Sequence, residues 1–217
     1  MQVRKGRAEE KSGSKKRLVG ACAGCGLRAT SAHFLVWPQL VARSSTLTRY
    51  NGGVPFCIRQ FEKGDFETLW RIDQACFDPQ LAYSRPEMAF YMRRPGAFTL
   101  VAESEGGEVG GNGGAPARVL GFIVAETRRQ SGHIITIDVV AEARRAGVGS
   151  ALLRAAEEQL LRTGARAVTL ETPVNNEAAI RFYKQKGYFV EKTVAGYYSN
   201  QMDALVMTKE LARPVVR

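Results

Sequence analysis

The chain reads as an α+β protein built on one mixed, mostly antiparallel sheet of seven strands flanked by four helices. Three observations predict it. From residue 56 onward, strand-like and helix-like segments follow in the order β-α-α-β-β-β-α-β-α-β-β. Hairpins thus precede a βαβ unit, instead of the regular alternation of a doubly wound fold. An apolar fraction of 45% over 217 residues is enough for a core, and no run approaches the ~18 apolar residues of a membrane span. The charge is also segregated. Residues 1–50 hold ten Lys or Arg against Glu9 and Glu10, while the remaining 167 hold twenty-one against nineteen. Of the net +10, +8 belongs to the N-terminal segment, and the nearly neutral remainder argues against a nucleic-acid surface there.

"MQVRKGRAEEKSGSKKR" has no periodicity, and the mixed text after it has no sustained one, so residues 1–53 are expected to be a disordered basic extension. It lacks the clean apolar core of a secretory signal, and Glu9 and Glu10 argue against a transit peptide. Cys22 and Cys25 form a lone Cys-x-x-Cys with only His33 nearby, short of the four ligands of a structural zinc site, so no metal is expected. Four cysteines in a chain of this size do not make a disulfide framework, and a reduced, cytoplasmic protein is expected. The domain proper is expected to span 54–217.

"FCIRQF" alternates and reads as the first strand. "EKGDFETLWRIDQACF" puts Phe66, Leu69, Ile72 and Cys76 on one helical face, with Asp65 as a candidate N-cap. "SRPEMAFYMRRPG" is a second helix, with Ser84 to cap it, Pro86 in its first turn and Pro95-Gly96 to close it. "AFTLVAES" and "RVLGFIVAETRR" are strands joined by the glycine-rich 105–117, and "HIITIDVV" is a strand after a tight turn. A helix then runs to about Arg162, stopped by Gly164. "ARAVTLETPV" is a strand, and "NNEAAIRFYKQKG" is a helix capped by Asn175 or Asn176 and ended by Gly187. "YFVEKTVAGYY" and "DALVMTKEL" are the last strands.

The chemistry-bearing text is "EARRAGVGSALL". A Walker loop is excluded, because Gly147 and Gly149 lie two apart with no Lys after them. A dinucleotide fingerprint fails at Leu152, where its third glycine belongs. Arg144-Arg145-Ala146-Gly147-Val148-Gly149 instead fits Arg/Gln-x-x-Gly-x-Gly/Ala, in which successive amides up to Ser150 face a pyrophosphate at a helix N-terminus. From these residues alone, a pyrophosphate cradle and an ordinary tight turn both stand.

The surroundings favour the cradle. Residues 56–211 resemble the GNAT acetyl-CoA-dependent N-acetyltransferases. "IDVVAEARRAGVGSALL" is similar to their fourth strand and pyrophosphate loop, and "LETPVNNEAAIRFYKQKGY" to their fifth strand and following helix. Asn176, Ala179, Tyr183, Gly187 and Tyr188 fill the latter pattern. Within the superfamily, "DQACFDPQLAYSRPEMAFYM", "LETPVNN" and "YYSNQMDALVMTKEL" resemble the RimI-like ribosomal-protein and protein N-terminal acetyltransferases. The first loop lacks their aromatic-rich Pro-Trp type sequence, and "SNQM" replaces a more acidic turn.

The resemblance implies a sheet splayed between its fourth and fifth strands, with acetyl-CoA as co-substrate and no metal. The donor would lie along Val139, Val140, residues Arg144 to Ser150, Asn176 and Tyr183. Glu171 would be the general base and Tyr183 the acid for the departing thiolate, while the Val139 amide would polarise the acetyl carbonyl. Asn176 would hold the pantetheine arm, cap its helix, or both. Phe77 and Tyr83 in the first interhelical loop, Asp138, and the Tyr197-Tyr198 pair would border the acceptor. That acceptor would be a protein or peptide N-terminus, a ribosomal protein among the candidates, served by a monomer or weak dimer. Cys57 and Cys76 read as small hydrophobes, so direct attack in a ternary complex is expected over a covalent acetyl-enzyme. The alternatives are a GNAT enzyme for a small amine or lysine side chain, and a CoA-binding module without turnover. A chain starting at Gly52 is expected to fold and keep its kcat on peptide; loss of most of that kcat in a steady-state assay would make the basic extension part of the working enzyme.

Overall fold

The computed structural model describes residues 55–104, 117–198 and 201–211. The basic extension, Cys22, Cys25, His33, most of the glycine-rich hairpin loop, and Ser199-Asn200 lie outside the described residues. The strands are β1 (Phe56–Gln60), β2 (Ala97–Ser104), β3 (Val119–Arg128), β4 (Ser131–Val139), β5 (Ala167–Pro173), β6 (Phe189–Val194) and β7 (Ala204–Glu210). The helices are α1 (Phe66–Cys76), α2 (Arg85–Met92), α3 (Val148–Arg162) and α4 (Glu177–Gln185). One sheet runs in the order β1-β2-β3-β4-β5-β7-β6. Its only parallel pair among these is β4–β5; every other pair is antiparallel.

Each face of the sheet is covered. On one, Leu69, Ile72, Tyr83 and Met88 of the α1–α2 region pack on Val101, Phe122, Val124 and Ile135. On the other, Leu152, Leu153, Ala156 and Leu160 of α3 and Tyr183 of α4 pack on strand residues such as Ile123, Ile134 and Leu170. The α3 stripe recurs at intervals of three and four, as a helix on a sheet requires. Gly132 admits this helix, because a Cβ there would meet the Leu160 side chain at 2.7 Å.

Two irregularities shape the middle of the sheet. The β3–β4 register slips between Val124↔Thr136 and Ala125↔Ile134, so Ile135 has no strand partner. Paired residues share a face, so Ile135 and Thr136 both fall on the α1–α2 side and the alternation reverses beyond them. The β4–β5 ladder is brief, joining only Ser131, Gly132 and His133 to Ala167, Val168 and Thr169. Beyond it β5 pairs with β7 alone, as far as Pro173.

The helix ends follow the sequence with one exception. Ser84 caps α2 in a reciprocal box with Glu87, Asn176 caps α4 through Ala179 N–H, and Gly164 and Gly187 end α3 and α4 at positive φ. Asp65 does not cap α1 with its side chain. A 3₁₀ turn, Lys63–Asp65, precedes the helix, and the Asp65 carboxylate accepts the Glu62 N–H at 2.8 Å. It also accepts from the Arg59 guanidinium at 2.7 and 2.9 Å, while Arg59 donates to both Glu103 oxygens at 2.9 and 2.8 Å. Arg59 thus ties β1, β2 and the entry to α1 together. These hydrogen bonds, from Arg59 in each case, hold the Asp65 and Glu103 carboxyls below the usual carboxylate range.

Carboxyls with lowered folded values stabilise the fold above their unfolded range, and that stabilisation fades as pH falls through the folded values. Arg59→Met is therefore expected to cost about 1–2 kcal/mol at pH 7. The cost should shrink at about pH 3 and below, where the carboxyls protonate. Urea denaturation of both proteins at the two pH values checks this; an equal gap at both would show that Arg59 acts by packing alone.

Candidate functional site

The site is built where β4 and β5 part. The Val140 N–H donates to Leu120 O across the β3–β4 ladder, so strand alternation turns the Val139 N–H and C=O to the opposite edge, away from β3. The Val139 carbonyl there accepts from Arg144 Nε at 3.1 Å and Cys76 Sγ at 3.5 Å. The Val139 amide faces the side from which β5 has separated. Gly121 allows this close pairing, since a Cβ on it would run into the Asp138 carbonyl oxygen and sit 3.1 Å from Val139 Cα.

After β4 the chain makes a short 3₁₀ turn, Ala141–Ala143, and then the Arg144–Gly147 corner before α3. Arg145 (φ 64°) and Gly147 (φ 85°) are both left-handed. Such alternation of backbone handedness directs successive N–H groups into one concavity at a helix N-terminus, a geometry suited to phosphate. No acidic side chain occupies the first turn of α3. Arg144 bonds inward to Val139 O, and its Nη2 lies 3.5 Å from Cys76 Sγ, so its side chain braces the corner. Val148 is buried beneath it.

Tyr183 closes the gap from the α4 side. Its ring is fully buried between Phe182 and Tyr188 in edge-on contacts at 5.2 and 5.5 Å. Its hydroxyl finds no hydrogen-bond partner among the described residues, and a buried hydroxyl in that condition fits a ligand atom. Burial first, then the Asp138 and Tyr198 charges, push its pKa well above that of an ordinary phenol. It therefore stays protonated and able to donate. Tyr188 is bound differently, its hydroxyl donating to Glu157 at 2.9 Å, which Lys209 also holds at 2.7 Å.

Three groups come from the other face. Asp138, fully buried, pairs with Phe122 and accepts from Thr136 Oγ1 at 3.0 Å. Glu171 lies two residues past the last β4–β5 pair, so it shares the face of Thr169 and His133. His133 meets it, with Nε2 to Glu171 Oε2 at 2.8 Å. Burial, then Asp138, raise the Cys76 thiol, so it is poorly suited to act as a nucleophile.

Of the acceptor candidates, Phe77 and Tyr198 pack with Leu81 and Ala204, with Tyr197 against the cluster, so the α1–α2 loop meets the loop before β7. Tyr197 and Tyr198 are edge-on at 5.1 Å. Tyr83 turns instead into the α1–α2 core, its ring tilted against Tyr91 with centroids 5.2 Å apart. Its backbone anchors the loop: Asp73 Oδ2 accepts its N–H at 2.8 Å, and Gln74 and Trp70 donate to its carbonyl at 2.9 and 3.0 Å.

With this geometry, the comparisons agree. Residues 66–188 match the acetyltransferase (GNAT) family. The chain belongs to the GNAT acetyltransferase family. An uncharacterized N-acetyltransferase of Methanocaldococcus jannaschii is 31% identical over 154 residues, 70% of this chain and 90% of that protein. The catalytic subunit NAA20 of the Arabidopsis thaliana N-terminal acetyltransferase B complex is 32% identical over 137 residues, 59% of this chain and 72% of the relative. The crystal structure of Ard1 from Thermoplasma volcanium superposes with a TM-score of 0.62 at 28% identity, covering 73% of this chain and 99% of the other. The protein is an N-acetyltransferase, and acetyl-CoA is the donor of its fold family.

The residues present fit that donor. The left-handed corner can take the pyrophosphate, the Val139 amide and Tyr183 hydroxyl face the gap where a thioester would enter, and Asn176 can cap α4 while its amide nitrogen serves the pantetheine arm. Sequence reasoning missed Asp73, Glu126 and His133; only the "GH" opening of β4 could have flagged the last. Gly147→Glu is expected to abolish acetyl-CoA binding in calorimetry, because it puts a carboxylate against the phosphates. Gly147→Ala carries the same left-handed strain, about 1–2 kcal/mol, and should lose far less affinity. Unchanged affinity in the Glu variant would remove the pyrophosphate assignment.

Proposed function

We propose that the protein acetylates the N-terminal α-amine of a protein or peptide, by direct attack of the amine on the thioester in a ternary complex. The observation that carries this reading is the β4–β5 gap, with a carboxylate, Glu171, beyond the last strand pair and a buried, unpartnered phenol, Tyr183, opposite. Support for the α-amine comes from similarity to the Arabidopsis NAA20 subunit and to Ard1. Phe77 and Tyr198 are buried against each other, which holds together the two loops that would border an extended peptide end. A ribosomal protein is one acceptor to test first, and the cytoplasm is the compartment this implies.

An α-amine has a solution pKa near ~8, so only a modest pull is needed to make it nucleophilic. Glu171 takes one amine proton, directly or through a water. The nitrogen forms the C–N bond while the C–S bond breaks. The Val139 N–H donates to the acetyl oxygen as negative charge gathers there. Tyr183 gives its proton to the departing sulfur; the acylated nitrogen sheds its second proton, which reaches the phenolate through solvent, while Glu171 releases the first to bulk water. Loops at Phe77 and Tyr197-Tyr198 align the peptide end.

Glu171→Gln and Tyr183→Phe should each lower kcat by ~10²–10⁴-fold while leaving acetyl-CoA affinity within a few-fold. At high pH the free amine deprotonates unaided, so Glu171→Gln should recover in part and Tyr183→Phe should not. Near wild-type kcat for Glu171→Gln at pH 7 would sink the base assignment. Faster turnover of Nα-blocked lysine peptides or polyamines than of free N-terminal peptides would overturn the α-amine reading.

A further inference from the structure

On the reading of Glu171 as base, we propose that His133 is a positioning residue that fixes the Glu171 carboxylate for proton removal, from a mount built by Glu126, Arg94 and Arg128. The groups form a row across the sheet. Glu126 on β3 is 1% exposed and is held by Arg94 Nε at 3.2 Å and Arg128 Nε at 3.0 Å. His133, its register partner on β4, has Nδ1 3.6 Å from Glu126 Oε1 and Nε2 2.8 Å from Glu171 Oε2. The first distance is electrostatic, too long for a hydrogen bond; the second is a short hydrogen bond.

The chemistry of the row runs in one direction. Two arginines already compensate the buried Glu126, so His133 is not required to neutralise it. A carboxylate facing each ring nitrogen orients the imidazole and directs an N–H toward Glu171. Glu171 needs such a partner. It stands where β5 has left β4, beyond the reach of the ladder that fixes Thr169, and it carries three side-chain torsions. A single hydrogen bond from a ring only 11% exposed removes most of that freedom. Among the described residues, Glu126 from β3 and Glu171 from β5 face His133, while Arg94, just past α2, and Arg128 from β3 hold Glu126. Arg94 lies 5.7 Å from the Phe90 and Tyr91 rings of α2, so the mount reaches the helix that flanks the acceptor side.

The test is a cycle of His133 and Glu171 variants in the full-length protein, read as kcat, peptide KM and calorimetric acetyl-CoA Kd. His133→Ala is expected to lower kcat by about 10-fold or more, as misplacement of a catalytic group does, with KM and Kd within about 2-fold. His133→Gln puts an amide N–H near the Nε2 position and should recover a substantial part of the loss, whereas the shorter His133→Asn should not. In the Glu171→Gln background, His133→Ala should cost less than about 2-fold further, because residues acting as a unit are not additive. The same loss in both backgrounds, or no advantage of Gln over Asn, overturns the proposal. If His133→Ala lacks a cooperative melt, the Asn and Gln variants supply the cycle. A Glu171→Gln enzyme with wild-type kcat would instead sink the base reading itself, so the two failures are distinguishable.

Discussion

The parting of β4 from β5 is the constraint on which the rest of this structure depends. A parallel pair normally continues until a strand ends, because each unmade ladder bond leaves an amide or carbonyl to be satisfied elsewhere. Here the ladder stops after three residue pairs, while β4 runs on to Val139 and β5 to Pro173. The carbonyl freed at Val139 is satisfied by Arg144 and Cys76, and the β5 edge is backed by β7. The amide freed at Val139 is left facing the opening. A sheet normally keeps its two faces apart. This opening lets Asp138 from one face approach Tyr183 from the other, which is why the Asp138 charge reaches the Tyr183 phenol.

Rigid supports surround the opening. Glu157 joins α3, the turn before β6 and β7 through Tyr188 and Lys209. Asp73, fully buried, fixes the α1–α2 loop by accepting the Tyr83 N–H. Arg144 pins the corner before α3 to the end of β4. Charged groups taken out of water are retained at a cost unless each is matched, and here each is matched across two segments of the fold. Phe77 and Tyr198, the proposed acceptor borders, belong to loops, where variation in substrate is cheapest to encode.

Much of this was legible from local text. Ser84 and Gly164 each act within three or four residues, and their spacing alone assigned their roles, while Asn176 is one of the two caps that the text offers for α4. The same holds for the α3 stripe and for the Arg-Arg-Ala-Gly-Val-Gly corner, whose left-handed Arg145 and Gly147 fit the phosphate motif. Asp65 was misread for a related reason: an Asp ahead of an apolar helical stripe is a cap by pattern, but a 3₁₀ turn and the distant Arg59 compete for its carboxylate.

The sequence by itself determined the element order, most helix ends and, through resemblance, the acetyltransferase chemistry, because propensity, capping and periodicity operate within one or two turns or a single strand. Only the tertiary structure decided which side chains meet. His133 and Asp138 lie an odd number of residues apart on β4, and strict alternation would send them to opposite faces. The bulge at Ile135 reverses the alternation and brings both to the α1–α2 side. Glu126, His133 and Glu171 join through strand register, and His133 and Glu171 are 38 residues apart in the chain. Tyr83 offered an aromatic for the acceptor wall, but packing turned its ring into the core and left its backbone to anchor the loop. Register, bulges and the competition for buried volume are set by the whole sheet at once, and no local window of sequence carries them.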